Sequence, residues 1–295
     1  VTIASSDASY DLAPFRTKVL AHGGGLYRDL PWRRTRDPYA IWISEVMLQQ
    51  TQVVRVDGRW QRWVERFPTP DALASASSAD VLEEWQGLGY NRRALSLWRA
   101  AREVSAAGGQ MPRDEAALLA LPGIGPATAA GIRAFAYDLP GVYLETNVRT
   151  VFLHELFPDA HGVPDPTLVP LVRRTCPPDA TDPSDDPRTW YYALLDYGAD
   201  LKRRLPNPSR RSLTHVRQPR FEGSHRQKRA ELVRILLAAR DLDGDGLDSD
   251  SLAEELSRVE GEAGREALSP TEVGGLLEEL SREGFCRSVD GLWSA

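Results

Sequence analysis

Two cysteines, Cys176 and Cys286, in 295 residues are too few for a disulfide framework, a four-cysteine zinc site or an iron–sulfur cluster. Both read as buried or incidental thiols. No uninterrupted apolar run reaches the length of a membrane span. The opening residues, VTIASSD, lack the basic-then-apolar order of a signal peptide, so the expectation is a soluble cytoplasmic protein with no membrane partner. Alternating strand patterns are nearly absent before residue 284, which leaves helices to build the fold.

Charge is present but unevenly spread. The net charge is −6, yet the segment from Asp241 onward carries a balance of −11 and the first 240 residues one of +5. Ten cations fall between Lys202 and Arg229, with Glu222 the only acid among them. Lys202, Arg203 and Arg204 open this run, which has the make-up of a phosphate-tracking segment, although such runs often form a solvated face.

Apolar residues recur at three- and four-residue spacing from Tyr39 to Phe67. Further short helices read at Asp71–Ala74, Ala79–Trp85, Arg92–Ala106 and Asp114–Leu121, each bounded by Pro, Gly, Ser or Asn. Many short helices with brief connections suit a compact mainly α domain. After Gly223 the composition changes. One amphipathic helix reads over His225–Arg240, then the acidic link DLDGDGLDSD, then helices at Ser251–Val259 and Pro270–Glu283, the last capped by Ser269. GFCRSVDGLWSA reads as two short strands turning at Asp290-Gly291. Three helices and a hairpin suggest a winged-helix-like module whose acidity favours protein contact or packing on the preceding lobe over DNA reading.

The acidic link matches an EF-hand loop at Asp241, Asp243, Asp245 and Gly246, but Leu252 stands where a bidentate Glu is required and Asp248 where an apolar residue is usual. The segment reads as a linker rather than a calcium site.

Two stretches carry chemistry. In LLALPGIGPATAAGIRAF the glycines at 123 and 125 permit a tight reversal between helices, with left-handed backbone angles and unobstructed N–H groups. Next to the N-terminus of a helix opened by Pro126, these donors suit a phosphate oxygen, although an ordinary helix–turn–helix connection has the same outline. In VYLETNVRTVF a lone acid, Glu145, precedes a helix. Helix electrostatics account for it simply, with Thr146 or Asn147 capping the exposed N–H groups.

LPGIGPATAAGI resembles the hairpin of the helix–hairpin–helix DNA glycosylases, and LETNVRTVF lies where that superfamily keeps its catalytic acid. PWRRTRDPYAIWISEVMLQQTQV, residues 31–53, resembles the MutY branch of adenine glycosylases almost residue for residue, and GLGYNRRA (87–94) and ALLDYGADLK (193–202) follow in family order. The likeness runs over roughly residues 11–204 and identifies the chain as a member.

The resemblance implies a mainly α, two-lobed glycosylase domain over residues 1–222, with a lobe of about 31–140 inserted between 1–30 and 141–222, followed by the winged-helix-like module at 223–295. It implies a monomer acting on double-stranded DNA that carries a mispaired or damaged base. Glu45, set among apolar neighbours that raise its pKa, would protonate the departing base. Glu145, kept ionised by its helix N-terminus, would face the cationic sugar. Arg28, Leu30, Trp32 and Arg33 match the wall of the base pocket, with Trp32 offering a stacking face, although a core aromatic fits that position equally well, and Tyr192 falls at a base contact. Gln50 is the residue inserted into the duplex, with Thr51 beside it. Asn91, Asn147, Thr128 and the hairpin residues Pro122, Gly123, Ile124 and Gly125 complete the DNA-binding set, and the hairpin 121–125 leaves room for a monovalent cation.

The pattern is broken in places. Glu145 replaces the family's aspartate, moving the carboxylate by about 1 Å. Asn91 stands where MutY has a tyrosine after GLGY, and Tyr192 where it has Gln or Glu. The four cluster cysteines and the Nudix-like C-terminal domain are missing. Bifunctional relatives carry a lysine where this chain has Ala127, so no lyase step is expected. Adenine is the first candidate base, with uracil, thymine, hypoxanthine or another modified base as alternatives, and a non-catalytic lesion-binding protein as the rival of another class.

Overall fold

The computed structural model describes residues 11–178, 182, 185–214, 220–240 and 246–295. Residues 1–10, Arg217 and the linker acids Asp241, Asp243 and Asp245 lie outside the described residues. In chain order the helices are α1 (Ala13–Gly25), α2 (Pro38–Met47), α3 (Val53–Val56), α4 (Arg59–Arg66), α5 (Pro70–Ser75), α6 (Ser78–Trp85), α7 (Arg92–Ala106), α8 (Glu115–Ala120), α9 (Pro126–Tyr137) and α10 (Thr146–Leu156). They continue with α11 (Asp165–Thr175), α12 (Pro187–Arg204), α13 (His225–Arg240), α14 (Ser249–Glu262) and α15 (Pro270–Glu283), before strands β1 (Arg287–Val289) and β2 (Leu292–Ser294). The chain is mainly helical, with a small two-stranded hairpin at its C-terminal end.

Side chains set where most of these helices begin. Asp37 accepts from Tyr39 N ahead of Pro38, Asp186 accepts from Thr189 N ahead of Pro187, and Ser77–Asp80 and Ser269–Glu272 form reciprocal capping boxes. Each satisfies backbone donors that a helix start leaves open. At the other end, Gly284 closes α15 in the left-handed conformation.

The expected long periodic stretch from Tyr39 to Phe67 is three helices. Gln50 takes φ 54° and Gly58 φ 78°, and each turn ends a helix that periodicity alone would continue.

The chain divides into two compact units. Unit 1 comprises Val1–Gln50, Trp60–Val64 and Gln110–Arg217; unit 2 comprises Thr51–Arg59, Glu65–Gly109 and Gln218–Ala295. In unit 1, α10, α12 and α1 pack around Phe15, Phe152, Trp190, Tyr191 and Leu194, and α2 packs on α9. In unit 2, α5–α7 bury Leu73, Trp85 and Leu97, while α13–α15 enclose Leu236, Leu256 and Leu277. Two ion pairs join these groups of helices within the unit: Arg92 with Glu283 at 2.7 Å and Arg240 with Asp80 at 3.0 Å. The terminal hairpin pairs Ser288 with Trp293 and turns at Asp290, φ 51°, and Gly291.

Candidate active site

Unit 1 brings Glu45 and Glu145 into one electrostatic neighbourhood. Glu45 sits near the end of α2, a helix buried almost all round, between Ser44 and Val46, both buried. It faces α9 at Gly131, where an added Cβ would lie 2.4 Å from Glu45 Oε2. Desolvation pushes its carboxyl up to about 8, and the nearby charge of Glu145 acts in the same direction. A hydrogen bond from the Tyr143 hydroxyl and the charge of Arg33 pull the other way. At neutral pH Glu45 therefore holds a proton it can give away.

Glu145 is itself the N-cap of α10. Its Oε1 accepts from Asn147 N at 2.5 Å and Val148 N at 2.8 Å, and Asn147 Nδ2 donates to Oε2 at 3.3 Å. This corrects the expected cap, since neither Thr146 nor Asn147 fills that role. It also corrects the expected electrostatics. Packing around the carboxylate removes more water than the helix start replaces, so its pKa is raised, with Val148 N–H, the Lys202 ammonium, Asn147 N–H and Arg149 acting against that rise. The proximity of Lys202 follows from Gly198. There α12 runs so close to the start of α10 that a Cβ would meet the Asn147 carbonyl oxygen at 2.3 Å, and Lys202 follows one helical turn later on the same face. Lys202 is half-buried, and burial lowers its pKa while Glu145 raises it.

The residues expected to wall a base pocket are partly committed elsewhere. Arg33 forms a bidentate pair with Asp196, at 2.7 and 2.9 Å, with both side chains nearly inaccessible. Arg28 donates to Asp196 Oδ1 at 2.5 Å. Trp32 is 4% exposed and packs edge-on to Trp60 at 6.2 Å, which favours the core reading of this residue over the stacking one. Leu30 leads in, extended and half-buried. Tyr192 stacks flat on Phe135, with centroids 4.5 Å apart, and the Arg33 guanidinium lies 4.3 Å from its ring.

In the hairpin, Ile124 N donates to Leu121 O at 3.2 Å and Gly123 takes φ 79°. Gly125 is extended, at φ −92° and ψ 175°, so only the first glycine adopts the expected left-handed angles. Pro122 and Gly125 are half-buried, Gly123 is exposed and Ile124 is buried. Thr128 is buried, and its hydroxyl accepts from Gln49 Nε2 at 3.0 Å, which bridges it to the segment that follows α2. Gln50 is exposed with a left-handed backbone. In unit 2, Thr51 Oγ1 accepts from Arg93 at 3.0 Å, and half-buried Asn91 precedes α7 without making a side-chain cap.

The basic run is not one uniform cationic face. Arg203 and Arg204 both pair with Asp200. Arg211 donates to the carbonyls of Leu153, Phe157 and Pro158, and Val163 is bridged to Ser212. These contacts hold the chain after α12. The family's iron–sulfur cluster needs four thiolates, whereas this chain has two cysteines, both buried, Cys176 in unit 1 and Cys286 in unit 2. The residues present do not fit a cluster.

Tyr143 escaped the sequence reading because it sits in an apolar run that reads as core. Its ring is buried against Phe135 and Tyr191, at 5.2 and 5.3 Å, and its hydroxyl engages Glu45.

Residues 43–169 match the model of the HhH-GPD superfamily base excision DNA repair protein. The chain is 37% identical over 226 residues to an adenine DNA glycosylase of Mycolicibacterium smegmatis, covering 71% of this chain and 75% of the relative. It is 44% identical over 137 residues to an adenine DNA glycosylase of Mycobacterium tuberculosis, covering 46% of this chain and 45% of that one. Among solved structures, a thermostable thymine-DNA glycosylase superposes with a TM-score of 0.56 at 24% identity, over 73% of this chain and 93% of its own, a likeness of fold.

Proposed function

This chain belongs to the HhH-GPD superfamily of base excision DNA repair proteins, and we propose that it is a MutY-like adenine DNA glycosylase that hydrolyses the N-glycosidic bond of a flipped base and leaves an abasic site. The observation that carries this reading is a pair of carboxylates in one neighbourhood, one of them, Glu45, raised to about 8. N-glycoside hydrolysis asks for both a proton on the leaving base and a negative charge facing the cationic sugar.

Glu45 gives its proton to a ring nitrogen of the base. The C1′–N electron pair leaves with the base, and the positive charge that grows on the sugar faces Glu145. Water then adds at C1′ and releases a proton. Ala127, at the place where bifunctional relatives carry lysine, supplies no amine, so no Schiff base forms there. Gln50, exposed and left-handed, suits insertion into the space that the base vacates. The hairpin 122–125 suits a phosphate, and residues 223–295 suit a winged-helix-like module.

One feature favours a second reading, in which another base is removed. Tyr192 is stacked on Phe135 with two arginines, Arg33 and Arg188, near its ring, and this replaces the amide or carboxylate that contacts adenine in MutY. Duplexes carrying A:8-oxoguanine, A:G, U:G, T:G and hypoxanthine:T separate the two when abasic sites are cleaved with alkali. Cleavage of the adenine duplexes supports the first reading, and cleavage only of another duplex supports the second. No cleavage on any duplex overturns both, and a break without alkali overturns the monofunctional assignment.

A further inference from the structure

Gly131 on α9 marks a point where two groups converge. A Cβ there would lie 2.4 Å from Glu45 Oε2 and 2.9 Å from Tyr143 Cε2, so the missing side chain opens the space in which the carboxyl of α2 and the phenol meet. Tyr143 is held from three sides. Its backbone N–H donates to the Tyr191 hydroxyl at 3.2 Å, its ring stands edge-on to Phe135, and a second edge contact joins it to Tyr191. The ring is 6% exposed, so it has little freedom to turn away. It stands two residues before Glu145, and the charges of both acids bear on its hydroxyl.

A phenol held in that place has one proton to donate, and its buried ring resists giving that proton up. We infer that Tyr143 is a positioning residue for Glu45: its hydroxyl donates to one oxygen of the Glu45 carboxyl, leaving the other oxygen to carry the proton and aim it at the departing base. During the reaction one proton passes from Glu45 to the base nitrogen and the C1′–N bond electrons leave with the base, while Tyr143 keeps its own proton throughout. As Glu45 becomes an anion, the donated hydrogen bond strengthens, so Tyr143 favours the product side of the transfer and makes Glu45 a better acid than burial alone would allow. The charged and titratable groups bearing on Glu45 are Tyr143, Glu145 and Arg33, with Tyr192 also interacting.

This role rests on the glycosylase reading for its purpose but not for its test. The Glu45 carboxyl titration is followed by carbon-13 NMR on the full chain, with the resonance assigned by its loss in Glu45→Gln. Tyr143→Phe removes the donor and moves the midpoint upward. Replacing Tyr143 with 3-fluorotyrosine, a stronger donor in nearly the same volume, moves it downward, so the idea stays testable if the phenylalanine variant folds poorly. A midpoint that stays in place, or moves the other way, in either protein overturns the role. On a duplex that the wild type cleaves, Tyr143→Phe slows single-turnover base release about tenfold or more and shifts the alkaline limb of its pH profile upward. A limb that does not move also overturns it. If the wild type cleaves no duplex, the glycosylase reading fails while the titration still decides the role of Tyr143.

Discussion

Gly198 of α12 touches the backbone of Asn147 so closely that a single methyl group has nowhere to go: the added Cβ would lie 2.3 Å from the Asn147 carbonyl oxygen and 2.7 Å from its carbon. The neighbour is main chain at the first turn of α10 and cannot rotate aside. Gly198→Ala must therefore push α12 from α10, moving Lys202 and the Glu145 cap together. The expected cost is about 1–3 kcal/mol of stability, visible in denaturant unfolding, together with a loss of base release larger than the fraction unfolded explains. A variant as stable and active as the wild type would mean that the two helices are not held at this distance.

Glu145 serves as helix cap and as charge, and the two roles can be separated. Gln at this position keeps an oxygen for Asn147 N–H and Val148 N–H but loses the negative charge. Glu145→Gln is expected to unfold within about 0.5 kcal/mol of the wild type while single-turnover base release falls on the order of 1000-fold. Glu145→Asp withdraws the carboxylate by about 1 Å yet keeps both charge and cap, and its rate should stay within about tenfold of the wild type. A Gln variant with full activity would remove the assigned role.

Lys202 is the strongest of the charges opposing the rise in the Glu145 pKa. Replacing it with Met takes a positive charge from a carboxylate that must be ionised to work, so the Glu145 pKa rises further. The acidic limb of the base-release profile should move to higher pH in Lys202→Met, with the alkaline limb, set by Glu45, left in place. Arg203 and Arg204 are tied to Asp200, and their substitution should leave both limbs unchanged and alter only DNA affinity and its salt dependence.

Local signals in the chain carried much of this. Arg92–Ala106, His225–Arg240 and Pro270–Glu283 follow from periodicity and capping residues, and the terminal hairpin follows from Asp290-Gly291. What failed was whatever depends on distant partners. Trp32 reads equally well as pocket wall or core, and only its packing on Trp60 decides. Arg33 finds Asp196 across 163 positions. The pull of a helix start on Glu145 is legible in LETNV, but the burial that outweighs it comes from elements elsewhere in the chain. Tyr143 shows the same limit, because VYLE announces an apolar run, and only the fold brings its ring beside Glu45 at the gap left by Gly131.

The raised Glu45 pKa also has a thermodynamic signature that needs no substrate. Its ordinary value is 4.5 and its folded value is about 8, so between these the folded chain binds more protons at this site than the unfolded chain does. Stability contributed by Glu45 is then fully present below about pH 4.5, falls as pH rises, and is lost above about pH 8. Glu45→Gln cannot lose a proton and still accepts from the Tyr143 hydroxyl. Its melting temperature relative to the wild type should therefore climb across that window and level off above it, on a scale of about 2–4 °C per kcal/mol for a chain of this size. Taking the difference between the two proteins at each pH cancels the titrating groups that do not interact with Glu45. A difference that stays flat from about pH 4.5 to about pH 8.5 would mean that Glu45 ionises like a solvated carboxylate, and the proton donor of the proposed reaction would have to be sought elsewhere.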